Sequence, residues 1–581
     1  MASRAWTPRT LVWDVAAPYE QAEELARRLN TSPLVAQVLV NRGASDPADA
    51  EAMLNPKLTD LHDPSLLSGC EAAAKRLARA VADGEKIVIY GDYDVDGMTA
   101  SAILHACLRM LGASAHFYVP HRLDEGYGVN VEAVRRIVAD GAKLIVTVDC
   151  GIGAVEPLAE AVAAGVDVIV TDHHTPPEHV PAVTAVVHPN LPDGQYPNAN
   201  LAGAGVAFKL AWQLAREVCG NDRVDEPMRQ FLLDATCLAA LGTIADVVPL
   251  VGENRVLATY GLRGLGGTNH AGLRALLESA NLVGERLDAY HVGFLLAPRL
   301  NAAGRMGHAR LAVELLTDAG PERSRTIADY LNKQNAERQK VERAISAEAA
   351  QMVADQGLDA PDRRIIVLAS EAWHGGVIGI VASRLVEKFN RPAILVAFNG
   401  DGGQGSGRSV PGFNLVEALA ACGEHLRSYG GHAMAGGLRI DRERIDDFAA
   451  AIGEYARRHT GSQPAAPPLD IDAECSLAAL SFGAVDHLAR LGPYGQGNPE
   501  PVVAVRGCRL IAAPRRMGRG GGTVGMLLCQ GETRMRAVGF GMGDLADLLE
   551  GVRTVDVAGA PTLNSFQGRT TVELQLRDVT W

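Results

Sequence analysis

The stretch KIVIYGDYDVDGM, residues 86–98, decides the fold. Lys86–Tyr90 is apolar at four successive positions rather than at alternate ones, which suits a strand covered on both faces, as in a parallel sheet. The run breaks at Gly91 into Asp92-Tyr93-Asp94-Val95-Asp96-Gly97. Outward from it the pattern repeats. Ala115–Val119, Lys143–Val148, Asp167–Val170 and Ala185–Val187 read as strands. Thr99–Leu111, Val131–Asp140 and Val155–Ala164 read as helices between them. Such alternation gives βαβ units and an α/β fold with a parallel sheet.

What stands at the strand ends carries the chemistry. The first strand stops at the aspartates just quoted, a later one ends at Asp149, another at Asp172-His173-His174, and the last at His188. Ligands of open parallel sheets bind beyond the carboxyl ends of the strands, so these groups should meet in space. A further acid, Asp246, closes the helical run before it. Like charges brought together resist joint ionisation, and a divalent metal resolves the conflict. Mixed carboxylate and imidazole ligands suit Mn²⁺ or Mg²⁺. Two ions about 3.5–4 Å apart would activate a water and stabilise the leaving oxygen of a phosphoryl centre. An EF-hand is excluded, because Ile103 stands at the twelfth loop position where calcium needs a glutamate.

The rest of the chain extends this frame. A chain of 581 residues is too long for one core and implies several domains. Residues 1–75 form a lead segment, and 76–320 hold the parallel-sheet domain. Residues 321–357 read as one amphipathic connecting helix, with Ile327, Leu331, Ile345 and Met352 at helical spacing. Residues 358–460 restart the α/β pattern as a smaller domain. TGSQPAAPP at 460–468 is a linker by composition, and 468–581 reads as a small β-barrel of about five alternating runs, an OB-fold. Nine scattered cysteines without a C-x-x-C pair argue against a zinc site and a disulfide framework. No apolar run approaches the ~20 residues that cross a bilayer, and no secretory core opens the chain, so we expect a cytoplasmic location without membrane contact. The net charge of −13 is only a sum and does not exclude a nucleic-acid partner.

In the smaller domain, Gly405-Ser406-Gly407-Arg408-Ser409 offers backbone N–H groups, hydroxyls and a guanidinium, a chemistry that grips phosphate. His432 follows a glycine pair, and Arg305 is a further candidate. In the barrel, Arg506, Arg509, Arg515, Arg516, Arg519, Arg534 and Arg536 face one local acid, Glu532, which reads as a basic patch for a single-stranded backbone.

GDYDVDG, TVDCG, VTDHH and GTIADVVPL resemble the ordered motifs of the DHH phosphoesterases. PRLNAAGRMG, GSGRS and SYGGHAMAGG resemble the further motifs of that family's RecJ branch, whose second domain is called DHHA1. The likeness spans roughly residues 85–440. It implies that Asp94, Asp96, Asp149, His173 and Asp246 are metal ligands, with Asp149 a bridge and Asp92 a ligand or its partner. His174 would contact the scissile phosphate or assist the leaving group. Arg122, Ser406, Arg408 and Arg305 would bind a 5′-terminal phosphate, with Ser409 and His432 beside them. Arg515, Arg516 and Arg519 would hold the strand. The implied activity is 5′ to 3′ hydrolysis of single-stranded DNA in recombination and repair, with a single-strand-binding protein and a recombination helicase as partners.

Two other readings compete. A relative specific for short oligonucleotides or cyclic dinucleotides is disfavoured by the chain length and the basic barrel. A catalytically silent relative is disfavoured by the intact set of acids and histidines.

Overall fold

Gly91 pairs with Val148, Val148 with Thr171, and Thr171 with Val187, so four parallel strands end at one level. A computed structural model describes residues 11–121, 125–126, 128–305, 308–460, 468–566 and 568–581, apart from the side chains of Arg305 and Phe566. The chain divides into two units, one of 1–120, 125–297 and 466–581 and the other of 121–124 and 298–465.

In the first unit the five parallel strands run Ser114–Tyr118, Lys86–Gly91, Leu144–Val148, Asp167–Thr171 and Ala185–Val187 across the sheet. Val88, Ile145, Val168 and Val170 pack with Val134, Ile137 and Leu158 from helices Val131–Ala139 and Val155–Ala163. Helices Val95–Met110, Gly203–Cys219 and Glu226–Ala245 pack on one another, and the first two also pack on the sheet. The strands match the expected runs closely because buried Ile/Val stretches leave little latitude in register. The helix after the aspartates starts at Val95 instead of Thr99. Asp94 explains the difference. Its carboxylate accepts from the N–H groups of Asp96 and Gly97 and caps the helix, so half of the acidic run is already helical.

The C-terminal barrel closes through five strands, Val503–Leu510, Thr523–Gln530, Thr533–Phe540, Thr554–Phe566 and Arg569–Thr580. The first pairs with the second and the fourth, the second with the third, the third in parallel with the fifth, and the fifth back with the fourth. The lead segment shares its core. Leu34, Val35, Val38 and Leu39 of helix Pro33–Asn41 pack in one cluster with Leu477, Val503, Val505 and Val557. Strand Trp13–Val15 pairs in parallel with Leu469–Ile471. Arg255, buried on helix Gly252–Gly266, donates to the carbonyls of Arg490, Leu491 and Gly492, which end helix Phe482–Arg490.

In the second unit, helix Pro321–Asp355 is continuous over 35 residues. A five-stranded sheet has the order Ser428–Gly431, Ala435–Asp441, Gly402–Arg408, Ala393–Asn399, Ile366–Ser370, antiparallel but for the last pair. Helices Pro321–Asp355 and Ile378–Phe389 share one core with the sheet, and Leu415–Ala421 and Ile445–His459 share the other. No helix among the described residues is long and apolar enough to cross a membrane.

Candidate active site

The common strand level sets the site. The residues that follow Gly91, Val148, Thr171 and Val187 are Asp92, Asp149, Asp172 and His188, and all four are buried. Asp149 adopts φ +59°. That left-handed turn is tolerated by aspartate better than by most residues. Its N–H still donates to Thr171 O at 3.0 Å, so the ladder positions it.

Asp96 is held by a helix end. Gly203 N–H donates to its Oδ2 at 2.6 Å and Ala204 N–H to its Oδ1 at 2.9 Å, at the positive end of helix Gly203–Cys219. A Cβ on Gly203 would lie 2.8 Å from Asp149 Cβ and Oδ1 and 2.9 Å from Asp96 Oδ2, so only glycine brings this helix in. Asp246 closes helix Glu226–Ala245 and points to the same place. His173 Nε2 stands 3.1 Å from Asp149, 3.6 Å from Asp246 and 3.7 Å from Asp96.

The electrostatics describe a site built for cations. Burial and the neighbouring Asp94 raise Asp96 to about 7. Burial with Asp96 and Asp94 raises Asp246 to about 8, and burial with four aspartates lifts Asp149 well above the carboxylate range. Burial and the charge on His174 lower His173 to about 4, leaving a neutral imidazole with a lone pair to give. Asp149 Oδ1 and His173 Nε2 are buried and lack a hydrogen-bond partner. Three triads offer donor atoms within 4.8 Å of one another: Asp92, Asp94 and Asp149; Asp96, His173 and Asp246; and Asp149, His173 and His174. Donors that crowd and repel, with Asp149 Oδ1 and His173 Nε2 left unsatisfied, fit divalent ions.

Asp172 is the residue that motif reading passed over. Its Oδ1 accepts from the N–H groups of His173 and His174 and lies 2.7 Å from His174 Nδ1, while Oδ2 accepts from Ile152 N–H. Burial alone would raise its carboxyl, but these bonds bring it down to about 2. In return, and against its own burial, His174 rises to about 9. His188 accepts from Asn190 N–H through Nδ1, which leaves Nε2–H to donate to His174 O at 2.8 Å. His188 is thus a brace for the His173-His174 loop and outside the donor triads.

The phosphate candidates of the second unit separate on inspection. Gly402–Arg408 is a strand with partners on both sides, so its N–H groups serve the ladders and only its side chains can grip a ligand. The run is glycine-rich because of packing: a Cβ on Gly405 would lie 2.6 Å from Leu438. Arg408 Nη1 donates to Ser406 Oγ at 3.2 Å, and both side chains reach Gly379 in the first turn of helix Ile378–Phe389. Hydroxyl, guanidinium and helix N-terminus together offer the kinds of donor that an anion takes. Ser409 is buried, and its hydroxyl donates to Phe413 O at 2.6 Å. His432 is exposed, and its N–H closes the hairpin on Ala435 O. Arg122 and the side chain of Arg305 lie outside the described residues.

The barrel arginines differ in their partners. Arg516 pairs with Asp544 and Asp547 at 2.8 and 2.6 Å, Arg506 with Glu474 and Asp556, and Arg536 with Glu573. These acids come from outside the local window, where counting along the sequence does not reach. Arg515, Arg519 and Arg534 make no ion pair among the described residues. Phe540, paired with Thr523 and 66% exposed, lies on the strand that also carries Arg534.

The family comparisons agree with this architecture. Residues 86–240 match the DHH family N-terminal domain, 340–458 the DHHA1 domain and 471–578 the RecJ OB domain. The single-stranded-DNA-specific exonuclease RecJ of Bacillus subtilis is 39% identical over 570 residues, covering 97% of this chain and 70% of that protein. The crystal structure of RecJ from Thermus thermophilus in complex with Mn²⁺ superposes with a TM-score of 0.83 at 34% identity, covering 98% of this chain and 79% of that one. Its Mg²⁺ complex gives 0.74 at 32%, covering 98% and 78%. With parallel-sheet, DHHA1 and OB domains in that order and likeness along almost its whole length, the chain belongs to the RecJ family of DHH phosphoesterases.

Proposed function

We propose that this chain is an exonuclease that degrades single-stranded DNA from the 5′ end by metal-dependent phosphodiester hydrolysis. The observation that carries the reading is the convergence of Asp92, Asp94, Asp96, Asp149, His173 and Asp246 on one crowded cluster, in which Asp149 Oδ1 and His173 Nε2 lack hydrogen-bond partners. Two ions, Mn²⁺ or Mg²⁺, would supply Lewis acidity for the attack of water at phosphorus. Asp92, Asp94 and Asp149 would hold one ion, and Asp96, His173 and Asp246 the other. His174, oriented by Asp172 and partly open to solvent, keeps its proton near neutrality and can give it to the leaving oxygen. No residue of this chain needs to form a covalent intermediate.

Ser406 and Arg408 are the groups we assign to the terminal 5′ phosphate, supported by their meeting with the first turn of helix Ile378–Phe389. A site that takes a chain end restricts cleavage to that end. Arg515, Arg519 and Arg534, with Phe540, suit an OB surface that tracks an unpaired strand. We further infer action in recombination and repair, beside a single-strand-binding protein and a helicase, because these supply and occupy unpaired strands.

The test is digestion of long single-stranded DNA labelled at either end, with Mn²⁺, Mg²⁺ or chelator. Early metal-dependent loss of the 5′ label, absent on blunt duplex, is expected. Hydrolysis confined to dinucleotides would overturn the reading.

A further inference from the structure

Among the described residues the exposed aromatic side chains are Tyr290, Phe294, Tyr429, Phe482, Phe540 and Trp581. Of these, only Tyr290 and Phe294 stack on one another, with ring centroids 4.9 Å apart and planes 26° from parallel. They are 59% and 68% exposed. Four residues apart on a helix, they share one face.

The turn that presents them is braced. Residues His291–Leu296 form a π-helical turn, a rare geometry that is frequent at functional sites. Asp288 braces its first residue, accepting from His291 N–H at 3.0 Å and lying 2.5 Å from His291 Nδ1. The His291 ring in turn meets Tyr290 edge-on at 6.0 Å. Val292 and Leu296 are buried, and the turn packs on helix Glu226–Ala245, which ends at the site acid Asp246. The rings are therefore held in place while their outer faces stay in water.

A near-parallel aromatic pair with free faces is shaped for another planar ring. The unpaired bases of a single strand present such faces, and stacking on them tolerates any sequence. We propose that Tyr290 and Phe294 form a stacking platform for bases of the single-stranded substrate, an inference that rests on the nuclease reading above. It assigns base contact to the unit that carries the metal-site residues, in addition to the phosphate contacts proposed for Ser406 and Arg408.

The experiment is equilibrium binding in chelator, where no cleavage occurs, using oligonucleotides with 2-aminopurine at successive positions from the 5′ end. Wild-type protein should quench one or two neighbouring positions. Phe294→Leu and Tyr290→Leu keep an apolar side chain at exposed sites, and each should raise Kd about 5-fold or more and restore fluorescence at those positions. Phe294→Trp should retain both. An abasic site at the quenched position should weaken wild-type binding and cost the Leu variants little. Leu variants with wild-type melting, Kd and quenching would overturn the platform and leave the pair to a protein partner. No binding of single strands by the wild type would overturn the nuclease reading itself, and the platform with it.

Discussion

His174 Nδ1 lies 2.7 Å from Asp172 Oδ1, and that carboxylate also accepts the backbone N–H groups of both site histidines. One buried acid thus sets the loop and fixes the imidazole so that Nε2 is turned to other partners. Asp172→Asn keeps the shape but loses the charge. We expect kcat to fall about 10²-fold or more with KM little changed, the scale of a lost general acid. The basic limb of the kcat profile, set by His174 losing its proton, should move to lower pH. An unmoved limb would remove His174 from proton transfer.

Asp149→Asn separates chemistry from folding. Asparagine tolerates φ +59°, so the backbone turn survives. Removing one charge from a repelling buried cluster should leave the metal-free protein at least as stable, while nuclease activity and the Mn²⁺-induced rise in Tm are lost. Melting scans with and without Mn²⁺, alongside the end-label assay, check both. Retained cleavage would take Asp149 out of the metal set.

The same cluster predicts a pH dependence. Asp96 and Asp246 are raised to about 7 and about 8 in the folded protein, so between the ordinary carboxylate range and those values the folded state binds more protons than the unfolded state. Stability then falls as pH rises. Metal-free protein should lose Tm steadily from about pH 4 to pH 8, and saturating Mn²⁺ should flatten or reverse that slope. A metal-free Tm that climbs over this range would contradict the crowding.

Gly203→Ala tests the close approach of a helix end to the acids. The added methyl meets Asp149 and Asp96 at 2.8 and 2.9 Å, and both are buried. Overpacking of this kind costs about 1–3 kcal/mol, and displaced ligands should weaken Mn²⁺ binding at least 10-fold, roughly the loss from disturbing a ligand's support. Calorimetric titration with Mn²⁺ reads this directly. Unchanged affinity would mean that the helix end yields freely.

The barrel arginines should divide by their partners. Arg515→Ala and Arg519→Ala should each weaken binding of long single strands and reduce the salt slope by about one. Arg516→Ala should do less, because Asp544 and Asp547 already hold that charge. Equal effects of all three on the slope would show that these ion pairs open when the strand binds.

Much of the catalytic sheet is legible along the chain, because its strands are continuous apolar runs and most deliver an acid or histidine at their end. The positions of Asp92, Asp149 and His173 follow from that grammar and the common register. The function of Asp172 does not, since an aspartate inside a motif looks the same whether it binds a metal or orients a neighbour; hydrogen-bond direction decides it. GSGRS reads as a source of free backbone N–H groups because glycine breaks strands locally, yet it lies in the middle of a sheet and packs against Leu438. Arg516 reads as free because its two acids lie 28 and 31 residues away.

Asn41 donates to the carbonyl of Asp472 across 431 residues of chain, at 2.8 Å, within the seam where the lead helices meet the barrel. On the ribosome, the apolar face of Leu34, Val35, Val38 and Leu39 therefore emerges long before the strands that cover it. At ordinary elongation rates the wait is roughly 20 to 90 seconds. During synthesis this segment is a natural client for a holding chaperone. Deleting the barrel would do more than remove the proposed strand-binding surface: it would strand that face for the life of the protein.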